Sequence, residues 1–312
     1  MKAPAQKHIV CVIGTRPELI KMAPVVHALT AVPGFRVTVL CSGQHRDLLA
    51  PLADWFGVEF DRDLAVMTEE QSLARLTSRL TMDFERYLEL ERPNLVVAQG
   101  DTTTVMCTSL CCFYRGIPFA HVEAGLRTFD LINPFPEEFN RLVADRLARF
   151  HFCPTERAAR NVLQQGVAPE GVLVTGNTVI DALHFTTAKL ARAPSRRPPH
   201  DVLLTAHRRE NFGAPLESVF AAVRRLVDEH PGLSVLYPVH PNPNVHAPAH
   251  ALLGGHPRVT LTEPLSYPEL VCAMRDARFI LTDSGGIQEE APALGKPVLV
   301  LRRATERPEA VE

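Results

Sequence analysis

Residues 278–302 read RFILTDSGGIQEEAPALGKPVLVLR. Phe279, Ile280 and Leu281 form a short continuous apolar run, the pattern of a strand buried on both faces. Ser284 and two glycines then open a helix directly after the strand, and a second apolar run, Val298–Leu301, follows it. Strand, glycine turn, helix and strand in that order specify a crossover between parallel strands. Glycine lets backbone N–H groups approach a ligand closely, and a helix N-terminus favours an anion. A diphosphate fits such a turn, and Glu289 or Glu290, further along the helix, is placed to accept hydrogen bonds from ribose hydroxyls. Taken alone, the turn reads equally as a plain Ser/Gly helix cap.

The same alternation runs along the chain. HIVCVIG, RVTVLCS, NLVVAQG, PFAHVE, RFHFCP and GVLVTG are strand candidates, followed later by DVLLTAH, LSVLYPVH, RVTLTEP, RFILTD and KPVLVLR. ELIKMAPVVHALTAV, LARLTSRLTMDFERYLELE and LESVFAAVRRLVDEH carry apolar residues at helical spacing. This predicts an α/β fold with parallel sheets and helices on both faces. The pattern restarts after KLARAPSRRPPHD (Lys189–Asp201), with a domain junction expected near Val174–Asn177. Two Rossmann-like domains, residues 1–174 and 175–312, are therefore expected to face each other across a cleft. Ligands in such folds bind beyond the C-terminal ends of the strands.

Composition narrows the function classes. The chain has 312 residues, 46% apolar and 22% charged, as in a soluble globular protein of two domains. A net charge of -2 gives no broad basic surface for nucleic acid. The start, MKAPAQKHIVCVIG, lacks the form of a secretory signal, and no apolar run is long enough to cross a membrane. Seven cysteines lie mostly in apolar runs without CxxC pairs, so they read as buried thiols of a cytoplasmic protein. The G-x-G-x-x-G and G-x-x-x-x-G-K-[ST] fingerprints of NAD and ATP sites do not occur.

Polar residues collect where each strand ends. VCVIG leads into Thr15-Arg16-Pro17-Glu18, VVAQG into Asp101-Thr102-Thr103-Thr104, and FAHV into Glu123-Ala124-Gly125. LLTA leads into His207-Arg208-Arg209-Glu210-Asn211 and FILT into Asp283-Ser284-Gly285-Gly286. One such turn is an ordinary cap; five together leave capping an incomplete explanation. Arg16 and, one turn on, Lys21 could hold a phosphate, against a solvated helix face as the plain alternative. Glu137 and Glu138 follow Pro136 in a helix's first turn, where acids favour the dipole anyway, and Arg141 is spaced to pair with Glu137. His240, His246, His250 and His256 lie among prolines at spacings that match no zinc site, so this segment reads as a loop. His207 directly follows a strand and could donate to a phosphate or sugar oxygen.

Together GTRPELIKMAPVV, QHRDLL, QGDTTT, HVEAGLRT, PFPEEFNR, TGNTVIDAL, HRREN, YPVHPNPNV, LTDSGGIQEEAPALGKPVLVLR and TERPEAVE resemble the non-hydrolysing UDP-N-acetylglucosamine 2-epimerases, in that family's order and over nearly the whole chain. The resemblance implies a two-domain fold like the GT-B glycosyltransferases, with UDP in the interdomain cleft and the C-terminal domain as the UDP-binding one. It implies a homodimeric isomerase that interconverts UDP-GlcNAc and UDP-ManNAc without metal or other cofactor, supplying ManNAc units for surface polysaccharides. The implied route eliminates UDP to a 2-acetamidoglucal and adds it back with C2 inverted.

Carried over by motif, Asp101, Glu123 and Glu137 become acid/base candidates and His207 a further catalytic or phosphate-contacting residue. Arg16, Lys21, Ser284, Gly285, Gly286, Glu290 and Arg307 become UDP-sugar contacts. In some family members a second UDP-GlcNAc activates the enzyme, and Gln44, His45, Gln71, Glu137, Arg209 and His240 match that site. Asp47 departs from the polar residue some members carry after QHR. Members also continue beyond TERPEAVE with a further strand and helix, so a C-terminal segment is expected to be missing here, with reduced stability and activity. The alternatives are a GT-B-type UDP-sugar glycosyltransferase, a hydrolysing 2-epimerase, and a non-catalytic nucleotide-sugar-binding protein.

Overall fold

The computed structural model describes residues 6–43, 46–66, 71–191 and 200–302. Gln44, His45 and Arg307 lie outside the described residues. The chain divides into two units, residues 1–182 and 183–312.

Unit 1 runs β1 (Lys7–Ile13), α1 (Arg16–Thr30), β2 (Phe35–Cys41), α2 (Arg46–Phe56), β3 (Arg62–Asp63), α3 (Leu73–Glu91), β4 (Leu95–Gln99), α4 (Thr103–Arg115), β5 (Phe119–Val122), α5 (Glu137–Leu147), β6 (Phe150–Cys153), α6 (Glu156–Gln164), β7 (Val172–Val174) and α7 (Thr178–Leu190). Its strands form one parallel sheet in the order β3-β2-β1-β4-β5-β6-β7. β1, β4 and β5 are buried almost throughout because helices cover both sheet faces. On one face Leu80, Phe84 and Leu88 of α3 meet Val105, Cys107 and Cys111 of α4 over Val10, Val12 and Val96.

Unit 2 contains β8 (Val202–Thr205), α8 (Ala214–Glu229), β9 (Val235–Pro238), α9 (Pro243–Leu253), β10 (Val259–Thr262), α10 (Tyr267–Asp276), β11 (Phe279–Thr282), α11 (Gly285–Ala293) and β12 (Val298–Val300). The parallel order is β10-β9-β8-β11-β12. Its core joins Phe220 and Val223 of α8 to Tyr237, Val245, Ala249 and Leu253.

Both sheets thus start in the middle and reverse direction once, between β1 and β4 and between β8 and β11. That reversal opens a crevice at the strand C-termini, where doubly wound folds bind ligands.

Two sequence expectations differ from the structure. The chain divides within α7 rather than before it, and Asn177, just ahead of that helix, donates to Glu123 in unit 1 (2.9 Å). The histidine- and proline-rich segment is not a loop: Pro243–Leu253 is helical. Pro243 occupies the first turn, where its missing N–H costs nothing, and Val245, Ala249 and Leu253 bury one helical stripe that outweighs the defect at Pro248.

Candidate functional site

In unit 1 the site begins at the crevice between β1 and β4. Thr15 caps α1 in a reciprocal capping box with Glu18, with Pro17 in the first turn. Glu18 is buried and accepts the N–H groups of Gly14 and Thr15 on one oxygen. Its other oxygen accepts the Thr102 hydroxyl (2.6 Å), so one carboxylate ties the turn after β1 to the turn after β4. Burial pushes its pKa up to about 7, against the opposing pull of those hydrogen bonds.

Glu123 directly follows β5 with a φ of 64°, a left-handed conformation rare for a side-chain-bearing residue. Its carboxylate is buried and holds Lys21 Nζ at 2.7 and 2.8 Å, with Gln99 and Asn177 amides completing the shell. Lys21 is therefore not on a solvated helix face; in this structure its ammonium is committed to Glu123. Arg141 of α5 donates to the Glu123 carbonyl and pairs with the Asp101 carboxylate, while Asn140 holds the Asp101 carbonyl (2.9 Å). The first turns of α5 are thus docked on the turn after β4, and Glu137, half-buried, is the first residue of that helix. Its neighbour Glu138 instead accepts Arg127 Nε (2.6 Å) and the N–H groups of Thr128 and Phe129, fixing the loop before α5.

Beneath these turns lies a fully buried pair. His121 Nδ1 meets Asp145 at 2.7 Å and Nε2 meets the Gly100 carbonyl at 2.7 Å. A carbonyl only accepts, so Nε2 carries a proton. Asp145 also accepts Gly125 N–H (3.2 Å). Burial works to raise its pKa, yet the His121 contact together with Arg141 and His151 holds it below the ordinary value.

In unit 2 the crevice lies between β8 and β11. Asp283, fully buried, accepts the N–H groups of His207 and Arg208 and the Asn211 amide on one oxygen. The His207 ring stacks on His240, centroids 5.5 Å apart, so the catalytic and regulatory histidine candidates are neighbours. Burial pushes the His207 pKa down, helped by Arg208 and His240 and opposed by Asp283. Ser284 is the N-cap of α11, and its side chain makes no capping hydrogen bond. Glu290 is buried on the next turns of that helix, within contact distance of Gly286.

The Arg16 side chain, half-buried at the start of α1, makes no hydrogen bond or ion pair to another described residue. Gln71 is half-buried just before α3, and Arg209 is exposed in the loop after β8. No group of three or more His, Cys, Asp or Glu among the described residues could hold a metal ion. No described helix is long and apolar enough to cross a membrane. An apolar groove of about 350 Å³ flanks α8, bordered by Val219, Val223, Leu226 and Leu281; its lining suits hydrocarbon, and the charged groups above lie elsewhere.

Sequence reasoning missed the residues that hold the carboxylates. Gln99 and Asn177 stand inside the QGDTTT and TGNTVIDAL motifs, whereas Glu18, Arg141 and Asp145 act through partners 84, 40 and 24 positions away. The local signals were the Thr15-x-x-Glu18 spacing, for a cap, and the spacing of Arg141 to Glu137.

Residues 27–312 match the family described as UDP-N-acetylglucosamine 2-epimerase. The UDP-N-acetylglucosamine 2-epimerase of Bacillus subtilis is 46% identical over 97% of the chain and 81% of that protein. The enzyme of the same name from Escherichia coli K12 is 45% identical over 97% of the chain and 84% of its own length. The crystal structure of UDP-GlcNAc 2-epimerase from Neisseria meningitidis bound to UDP-GlcNAc superposes with a TM-score of 0.93 at 42% identity, over 97% of this chain and 85% of that one. The chain belongs to the UDP-N-acetylglucosamine 2-epimerase family.

Proposed function

We propose that the protein interconverts UDP-GlcNAc and UDP-ManNAc by eliminating UDP to a 2-acetamidoglucal and adding it back with C2 inverted. The observation that carries this reading is the buried Glu123 carboxylate, strained in backbone and held by Lys21 beside an Arg141-bound Asp101. The C2 proton is barely acidic until the anomeric C–O bond breaks and positive charge builds on C1. A diphosphate leaves readily where cations and helix amides neutralise it. Arg16, Lys21, Arg307 and the Ser284-Gly285-Gly286 turn supply those groups in this reading, and Glu290 takes the ribose. As Lys21 turns to the diphosphate, Glu123 loses its counter-ion and becomes the stronger base. Asp101 and Glu137 complete the acid/base set that protonates the other face, and His207, neutral at physiological pH, donates to a phosphate or sugar oxygen.

Two further features belong to the proposal. A second UDP-GlcNAc binds at Gln44, His45, Gln71, Glu137, Arg209 and His240 and activates the enzyme; the stacking of His240 on His207 supports communication between the sites. Exposed Met82, Leu90, Phe113 and Tyr114 give α3 and α4 an apolar surface suited to a second copy of the chain. The enzyme works in the cytoplasm, and its product supplies ManNAc units for surface polysaccharides.

Incubation with UDP-GlcNAc in deuterated water tests the reaction. Deuterium at C2 of recovered UDP-sugar is expected. Free ManNAc would point to hydrolysis, and unlabelled UDP-sugar would defeat the proposal. Full-rate epimerisation of UDP-ManNAc without UDP-GlcNAc would defeat the regulatory site.

A further inference from the structure

Helix α5 carries Glu137, Arg141 and Asp145 four residues apart, and positions so spaced share one helix face. Arg141 brings that face onto the strand ends, where it donates to the Glu123 carbonyl and pairs with the Asp101 carboxylate. Asp145, one turn on, is gripped through both its side chain and its backbone. Its carboxylate meets Nδ1 of His121 in β5 (2.7 Å) and accepts the Gly125 N–H (3.2 Å). Its carbonyl accepts Nε2 of His151 in β6 (2.6 Å), and His121 and His151 are paired across those two strands. His121 Nε2 donates to the carbonyl of Gly100, the residue before Asp101 (2.7 Å). Both His121 and Asp145 are fully buried. Burial works to raise the Asp145 pKa, yet His121, Arg141 and His151 hold it below the ordinary value, so the carboxylate is ionised. An ionised carboxylate only accepts, and Nδ1 therefore carries a proton as Nε2 does.

We propose that His121, protonated on both ring nitrogens, is a positioning residue that fixes α5 against the turn after β4 and so sets the separation of Glu137 from Asp101 and Glu123 across the sugar. The inference rests on the reading of Asp101, Glu123 and Glu137 as the acid/base set. A rigid ring that donates from both sides holds its two acceptors at a fixed distance. One acceptor belongs to the turn that carries Asp101, the other to the helix that starts at Glu137. Charge-assisted hydrogen bonds of this kind are shorter and stronger than neutral ones. Inversion at C2 needs groups on opposite faces of the sugar, and a small misplacement of one element against the other weakens one face more than the other.

The test incubates the 312-residue chain with UDP-GlcNAc in deuterated water. Early in the reaction, deuterium at C2 of recovered UDP-GlcNAc is compared with the UDP-ManNAc formed. That ratio reports how the two faces of C2 are served relative to each other, and the fraction of folded enzyme cancels from it. In His121→Gln, kcat should fall about tenfold or more with little change in KM, and the ratio should shift by at least about threefold. Nitrogen-detected NMR of the wild type should show a proton on each His121 ring nitrogen, assigned by the loss of both signals in that variant. Should His121→Gln not fold, because it leaves the Asp145 charge unpaired, the double variant with Asp145→Asn removes that charge and must shift the ratio. An unchanged ratio, whatever happens to kcat, overturns the proposal while leaving the acid/base reading intact. A His121 ring with a single proton overturns it as well. A wild type that places no deuterium at C2 removes both.

Discussion

Glu123 is both a buried partner of Lys21 and a proposed acid/base group. Its charge and that of Lys21 balance each other away from water, an arrangement in which removing one partner costs about 3 kcal/mol or more. Glu123→Gln should therefore lower the urea midpoint and cut deuterium exchange at C2 by at least about 10²-fold. Adding Lys21→Met should restore much of the stability, because it removes the orphaned charge, but none of the exchange. Recovery of exchange in the double variant would take Glu123 out of the acid/base set. Glu18 makes a prediction in pH. Its pKa in the fold is about 7, above the ordinary 4.5, so its stabilising contribution is complete below 4.5 and disappears as pH rises through 7. The stability of the wild type relative to Glu18→Gln should rise, by at most about 3 kcal/mol, as pH falls from 8 towards 4.5. A difference that stays level across this range would contradict the assignment.

The strands and turns that carry these residues were largely readable in advance. Buried parallel strands leave continuous apolar runs, and LARLTSRLTMDFERYLELE coincides with α3 because its apolar spacing is unbroken. The two-residue β3 was too short to leave a pattern, and the prolines of α9 concealed a buried stripe that only packing makes decisive. The links between turns were not readable, since His121–Asp145 and Arg141–Asp101 join residues brought together by the sheet. Close approach of backbone was also hidden. Gly125 has a φ of 82°, and a side chain there would collide with the Ala158 carbonyl of α6. Gly125→Ala should force α6 away from the turn after β5, costing about 3 kcal/mol or more in a denaturant titration. A variant as stable as the parent would show that α6 yields without strain.

At the scale of the whole molecule, thiol chemistry reports on how completely the core of unit 1 excludes water. Cys11, Cys41, Cys107, Cys111, Cys112 and Cys153 are buried, and burial pushes Cys107 up to about 11 and Cys11, Cys111 and Cys153 up to about 12. Cys272 alone is partly accessible. Native protein at pH 8 should therefore react with a thiol-specific dye at Cys272 only, and with all seven after denaturation; prompt native labelling of α4 thiols would mean that α3 opens. The strand orders carry a last consequence, for synthesis. β1 is made first yet sits between β2 and β4, and β8 likewise sits between β9 and β11. While the ribosome adds residues 42–94, β1 can pair with β2 but its opposite edge has no partner, because β4 has not emerged. An apolar strand edge of this kind is a template for wrong pairing. Slow codons before Leu95 should lower the yield of folded protein, whereas the same pause placed far enough beyond Gln99 for β4 to have left the ribosome falls on a chain whose central edge is already closed.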